Sequence, residues 1–311
     1  MSTTVLQPPA ARQGPGAIPQ TLVDAIDLLL VRLLTRSLPG ERRAAGVGRG
    51  TELAQLRPYE PGDDVRHLDA AASARTGAPH VRLHVPERTL TTWVVLDLSP
   101  SMAFGTATRL KSDVAEGVVL VLARLAVRRA GSVGVVAFGA GAPIILPPRG
   151  ARAGMSAVRD LLAAGVAGDG RADAGALAGA LERLSTLAKR PGLVAIVSDF
   201  RDLDGWTRPL ALVRGRHSVL AIEVHDPREA ALPAVGRLAL VDPESGARIE
   251  VDTSSARLRS RFEEIERRRR EALAGELRRL AAAHVALSTD EHWSAELARG
   301  LSAGPDGRTR R

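Results

Sequence analysis

The chain has 311 residues, 45% of them hydrophobic, a formal charge of +8 and no cysteine. Disulfides, thiolate chemistry and cysteine metal sites are thereby excluded, and the length suffices for two domains, or for one large domain with a smaller companion. Aromatic residues make up only 3%, which speaks against single-strand nucleic-acid binding by base stacking. No apolar run is long enough to read as a membrane span, and the first twenty residues lack the apolar core of a secretory signal. A cytoplasmic protein is the expectation. The basic residues are almost all arginine; the lysines are Lys111 and Lys189. That bias, with abundant alanine and glycine, looks like a coding preference rather than a functional signal.

In chain order, residues 1–19 read as a disordered tail, and the helical spacing of apolar residues predicts a helix over 20–37. Residues 40–77 are rich in glycine, charge and turn signals and read as irregular. The stretch 80–85 alternates as a strand does, and 90–98 ends in a continuous apolar run, as a central parallel strand would. A long helix over 109–130, a strand at 132–139 pairing with 142–148, and helices over 151–164 and 173–189 follow. A second apolar strand occupies 192–200, then a helix at 206–215 and a strand at 217–226. The remainder reads as a hairpin at 236–252 around "PESG", a charged helix at 254–284, a short strand at 285–289 and a helix at 292–301. Strands alternating with helices predict an α/β fold, a mostly parallel sheet with helices on both faces. The expected domains are a helix and irregular segment over 20–89, the α/β domain over 90–226, an extension over 227–302 and a tail at 303–311.

Two of the apolar strands end in oxygen-bearing side chains: "DLSPS" at 97–101 and "SDF" at 198–200. Ligands of open α/β sheets bind outside the carboxyl ends of the strands. If the two strands are close neighbours, Asp97, Ser99, Ser101 and Asp199 share one crevice. Carboxylates and hydroxyls without nearby histidine or sulfur suit Mg2+, Mn2+ or Ca2+ and disfavour zinc. Too few protein ligands would leave a position for an outside carboxylate. The competing reading is that these groups cap helix starts and satisfy loop hydrogen bonds.

Asp97, Ser99 and Ser101 in D-x-S-x-S spacing after a buried strand resemble the metal-ion-dependent adhesion motif of von Willebrand factor A domains. The resemblance implies that Ser99 and Ser101 bind the metal directly and that Asp199, on a third loop, assists through water. It also implies a threonine on a second loop, in the region 168–184. Ala172 precedes Asp173 there and no threonine is nearby, so Asp173 or a water is the candidate substitute.

The segment before the domain extends the likeness. "GRGTELAQLRPYEPGDDVRHLDAAASARTG" resembles the signature of a bacterial family of domains of unknown function numbered fifty-eight. Gly48, Gly50, Glu52, Leu56, Arg57, Tyr59, Pro61, Gly62, Asp63, Asp64, Arg66, Asp69, Ser73, Ala74 and Arg75 match it, while Leu53 and Ala70 replace the usual aromatic residues. Arg57, Arg66 and Arg75 are suited to pair with Glu60, Asp63, Asp64 and Asp69. Such a network serves either to pin the segment or to meet a partner, and Glu87 and Arg88 carry the same two readings. The resemblance implies a non-enzymatic interaction module, a MoxR-type AAA+ ATPase as partner, an unknown client protein and a chaperone-like role.

The chain has no phosphate-binding loop of the G-x-x-x-x-G-K-[ST] type and no G-x-S-x-G elbow. His80 and His84 lie on a strand and read as solvent-facing, and the arginine run 267–270 reads as a solvated helix face paired with glutamates. The alternatives to an adaptor are a hydrolase using Asp97, Asp199 and a metal to activate water, and an arginine-patch nucleic-acid binder, for which salt dependence is the test.

Overall fold

A computed structural model describes residues 13–37, 52–60, 63–85, 91–128, 130–139, 141–165, 175–201, 205–290 and 292–303. The chain divides into two compact units, residues 39–89 and the rest.

The small unit holds two antiparallel strands, β1 (Glu52–Pro58) and β2 (His80–Val85), and a short helix, α2 (Ala70–Thr76), between them. It is therefore not the irregular segment that its composition suggests. A register shift between Leu53 and Gln55 breaks the alternation of β1 and hides the period-two pattern. Asp69 caps α2 by accepting from Ala72 N at 2.8 Å, and Gly77 closes it in the left-handed region at φ 71°.

The large unit carries a six-stranded sheet in the order β10-β7-β6-β3-β4-β5. Its strands are β3 (Thr91–Asp97), β4 (Ser132–Phe138), β5 (Ile144–Gly150), β6 (Leu193–Ser198), β7 (Ser218–His225) and β10 (Ala283–Ser288). All neighbours are parallel except β5, which runs antiparallel to β4. The fold is thus the expected α/β type with a mostly parallel sheet.

The sheet is buried on both faces, which explains why its strands read as unbroken apolar runs. Side chains alternate between faces. Val94, Leu96, Ala195 and Val197 pack in one core with α1 (Gln20–Ser37), α3 (Lys111–Arg128), α4 (Ala151–Ala163) and α9 (Trp293–Ala303). Trp93, Val95, Val194 and Ile196 pack in the other with α5 (Ala176–Leu187), α6 (Thr207–Arg214) and α8 (Ala256–Arg279). Pro227–Ala230 forms the short α7, and β8 (Arg237–Val241) pairs with β9 (Arg248–Asp252) in a separate two-stranded sheet. No described helix is long and apolar enough to cross a membrane.

Three boundaries differ from the sequence reading. Helix α1 belongs to the large unit, with Val23 and Ile26 buried in its core. The expected C-terminal extension is not separate, because β10 is an edge strand of the main sheet. Residues 13–19 are tied down rather than forming part of a tail. Trp293 Nε1 donates to Pro15 O at 3.1 Å, Arg109 Nε to Gly14 O at 3.2 Å, and Gln13 N to Asp113 Oδ2 at 3.3 Å.

Candidate functional site

From β3 the chain passes through α3 to β4 on one side, while β6 lies on the other side of β3. The carboxyl ends of β3 and β6 therefore flank a topological switch point, where open α/β sheets form ligand crevices. Leu96 pairs with Val197, so Asp97 and the Ser198–Asp199 pair leave their strands side by side. The structure brings Asp97, Ser99, Ser101 and Asp199 to one rim, all of them buried.

Asp97 is held by its own surroundings. Ser198 Oγ donates to its Oδ2 at 2.6 Å and Ser99 N to its Oδ1 at 2.9 Å. Ser198 Oγ in turn accepts from Phe200 N at 2.9 Å. Phe200 adopts φ 51°, disfavoured for a residue with a side chain, and its buried ring packs edge-on against Trp206. The Ser99 and Ser101 hydroxyls lie 3.0 Å apart. Gly139, at the end of β4 with φ 87°, lies so close that a Cβ there would sit 2.6 Å from Ser99 N. The first loop therefore rests directly on backbone from the neighbouring strand.

The two carboxylates have opposite electrostatics. Burial, and then the neighbouring Asp199 charge, push the Asp97 carboxyl up to about 7. Hydroxyl and amide donors offset part of this, but no cation among the described residues touches Asp97. Burial acts on Asp199 in the same direction, yet the Lys111 ammonium outweighs it and holds Asp199 below the usual range. Lys111, fully buried, donates to Asp199 Oδ2 at 2.6 Å and to Glu229 Oε1 at 2.7 Å. Burial alone would lower the lysine, but these two carboxylates outweigh that and raise it.

The network extends outward through Arg201. Its amide donates to Asp199 Oδ1 at 3.1 Å and its guanidinium to Glu229 at 3.2 Å and to Glu266 of α8 at 3.4 Å. Glu229 also accepts from Asp226 N in a capping box that starts α7. Asp226 is fixed by Thr106 and Thr289, whose hydroxyls each donate at 2.6 Å. Ser101 N donates to Glu244 Oε1 at 3.1 Å, from the tip of the β8–β9 hairpin. Glu244 Oε2 is buried with no hydrogen-bond partner among the described residues.

This donor chemistry fits a hard divalent cation. The Ser99 and Ser101 hydroxyls, the Asp97 carboxyl and the Glu244 carboxylate on Ser101 N are all oxygen donors of the kind such an ion takes. Lys111 marks the difference from a site built of acids alone, since it already neutralises Asp199. No group of three or more His, Cys, Asp or Glu among the described residues is placed to hold a metal. A cation here would depend on the serine hydroxyls.

Of the other predicted residues, Asp173 and Ala172 lie outside the described residues, as do Gly48, Gly50, Pro61, Gly62, Glu87 and Arg88. In the small unit, Arg57 Nη2 donates to Asp63 Oδ1 at 2.7 Å, and Arg57 lies 3.6 Å from Glu60. Arg66 lies 3.5 Å from Asp64, which caps the turn at 65–67. Tyr59 N donates to Pro79 O at 2.8 Å, and Arg75 is exposed in the last turn of α2. Asp69, expected as an ion-pair partner, acts as the helix cap. The arginine run divides. Arg267 and Arg268 pair with Glu264 on the exposed side of α8, whereas Arg269 and Arg270 reach the buried Glu223 at 3.5 and 3.4 Å. Sequence reasoning missed Ser198, Lys111, Glu229 and Glu244. A lysine in an arginine-rich chain, on the helix that follows the D-x-S-x-S loop, was the available signal for Lys111.

Comparison with known proteins places the chain. A family model described as "Protein of unknown function DUF58" matches residues 55–272. Uncharacterized protein Rv1480 of Mycobacterium tuberculosis is 35% identical over 307 residues, covering 96% of this chain and 94% of that one. Uncharacterized protein MAV169 of Mycobacterium avium is 39% identical over 125 residues, covering 40% of this chain and 73% of that one. Among solved structures, the conserved hypothetical protein BatB of Bacteroides thetaiotaomicron is similar with a TM-score of 0.42 at 14% identity, over 68% of this chain and 97% of that one. The SpRpn10 VWA domain is similar with a TM-score of 0.37 at 10% identity, over 71% of this chain and 99% of that one. The large unit is an α/β fold with a mostly parallel sheet and D-x-S-x-S at the end of its first sheet strand, and the chain belongs to the family described as protein of unknown function DUF58.

Proposed function

We propose that this chain is a non-enzymatic interaction adaptor that recognises partner proteins through the crevice at the ends of β3 and β6. Ser99, Ser101 and Asp97 would hold Mg2+ or Mn2+, with Asp199 behind them. The bound cation supplies a Lewis-acid point to which a carboxylate of a partner attaches. The observation that carries this reading is Asp97, a buried carboxyl beside a second one and without a cation of its own. A divalent ion at that place removes the repulsion and the cost of burying the charge. The partner proposed is a MoxR-type AAA+ ATPase, which would supply energy while this chain selects a client protein in the cytoplasm.

The hydrolase reading gains nothing from the geometry, because it needs a general base beside the two carboxylates, and Lys111, which touches Asp199, is held as a cation by Asp199 and Glu229. Nucleic-acid binding through α8 is weakened by the pairing of its arginines with Glu264, Glu266 and Glu223. The test is calorimetric titration with Mn2+ and capture of the ATPase from the native host. Binding lost in Asp97→Ala supports the adaptor. Wild-type protein that neither takes up Mn2+ nor captures the ATPase overturns it.

A further inference from the structure

The β8–β9 hairpin has an architecture that its own stability does not require. It pairs with itself and not with the main sheet, and two-stranded ribbons are marginal alone. Its base is anchored. Leu238 and Thr253 are fully buried, Thr253 Oγ1 donates to Gly236 O at 2.8 Å and accepts from Val235 N at 3.1 Å. Beyond the base it lies in solvent, with Val241 and Ile249 more than half exposed. In the tip turn, only Glu244 is drawn inward.

That turn is built to present one side chain. Asp242 N donates to Ala247 O at 2.9 Å, Gly246 N to Asp242 O at 2.8 Å, and the Asp242 carboxylate takes Glu244 N at 3.1 Å. Gly246 supplies the left-handed residue that the turn needs, at φ 70°. The product is a glutamate on a hydrogen-bonded turn, 143 positions along the chain from Ser101, with one carboxylate oxygen on the Ser101 amide and the other buried without a hydrogen-bond partner among the described residues. A glutamate whose task was to satisfy one amide would leave its second oxygen in water. Burying that oxygen without a donor costs roughly 1–3 kcal/mol, so the seat suits a group that is matched only when the crevice is loaded.

We propose that the β8–β9 hairpin is an in-chain occupant of the crevice, with Glu244 holding the place that a partner's carboxylate takes. A partner then binds by offering an acidic side chain on a turn and displacing the tip, while Leu238 and Thr253 keep the base in position. This rests on the adaptor reading of the crevice, and it names what the partner must present and what it must displace.

The test uses a chain in which residues 241–248 are replaced by Asn-Gly. Leu240 and Ile249 face each other across the hairpin, so a two-residue turn closes the shortened ribbon without moving its base. The probe is a synthetic peptide with the sequence of residues 241–248. The peptide is expected to bind the shortened chain at least tenfold more tightly than the intact chain, and its Glu244→Gln form to lose that binding. Equal affinity for both chains, or binding to neither, overturns the proposal. Tight binding that requires Mn2+ supports both the occupant and the cation. Tight binding that ignores Mn2+ keeps the occupant and counts against the metal alone. If the shortened chain does not fold, amide exchange of full-length Glu244→Ala decides the matter. Exchange at residues 99–104 and 242–247 is expected to quicken at least tenfold with the hairpin base unchanged, and unchanged rates overturn the proposal.

Discussion

Asp97 and Glu223 are both buried carboxyls on neighbouring parts of one sheet, and they are treated in opposite ways. Glu223, on β7, faces His284 at 3.2 Å, Arg270 at 3.4 Å and Arg269 at 3.5 Å. Burial would raise it, but these partners outweigh burial and hold it below its ordinary value. Asp97 has hydroxyls and amides but no described cation, and burial pushes it up to about 7. Glu223 is ringed by basic side chains from α8 and β10. Asp97, at the switch point, has no such ring among the described residues. The absence of a neighbouring cation, rather than burial, separates the two carboxyls, and the proposed role of Asp97 rests on that difference.

The comparison can be broken or sharpened in graded steps. The largest effect belongs to Lys111, the internal cation that completes Asp199. Lys111→Met leaves Asp199 and Glu229 buried without it and is expected to cost about 3–5 kcal/mol in urea unfolding. Next is Glu223→Gln, with a loss of about 2–3 kcal/mol, since it strands the half-buried cations around it. A loss as small as that of an exposed substitution would remove Glu223 from the structural class.

Asp97→Asn goes the other way. The folded chain holds the Asp97 proton more tightly than the unfolded chain, so protonation favours folding. Stability is therefore lost as pH rises from the ordinary 3.8 toward about 7. Asp97→Asn is expected to flatten that slope and to raise the melting temperature at pH 8. For Glu223 the sign is reversed. Its stabilisation is present above its ordinary value of 4.5 and fades as pH falls below it. Millimolar Mn2+ is expected to raise the melting temperature of the wild type more at pH 8 than at pH 5, and not to raise that of Asp97→Asn. A pH-independent gain would separate metal binding from Asp97. The smallest effect is that of Arg267→Ala on the exposed side of α8, expected to move the melting temperature by less than about 1 °C.

The sheet was largely legible because its strands are covered on both sides. "VVLDL" and "LVAIVS" carry no polar residue before their ends, and the abrupt appearance of Asp97 and Asp199 marks the carboxyl rim. The rest of the site was hidden by distance along the chain. Lys111 sits on an amphipathic helix where a lysine ordinarily faces water, and nothing local says that Asp199 and Glu229 will enclose it. "PESG" reads as an ordinary hairpin turn, and its glutamate matters only because the tip meets Ser101. Ser198 holds Asp97 directly, yet beside Asp199 in sequence it looks like the ordinary polar end of a strand. In the small unit, the bulge in β1 and the shortness of α2, only 7 residues, concealed regular structure behind turn-forming neighbours.

Gly139 gives the loop at residues 97–101 a hidden dependence. Its missing side chain lets the end of β4 lie against Ser99, so a single added methyl group would press on that loop's backbone without altering any oxygen donor. The crevice can thus be reshaped from a residue that contributes no chemistry to it. A screen confined to charged and hydroxyl positions would overlook this control point, and an alanine at 139 would separate the loop's shape from its composition.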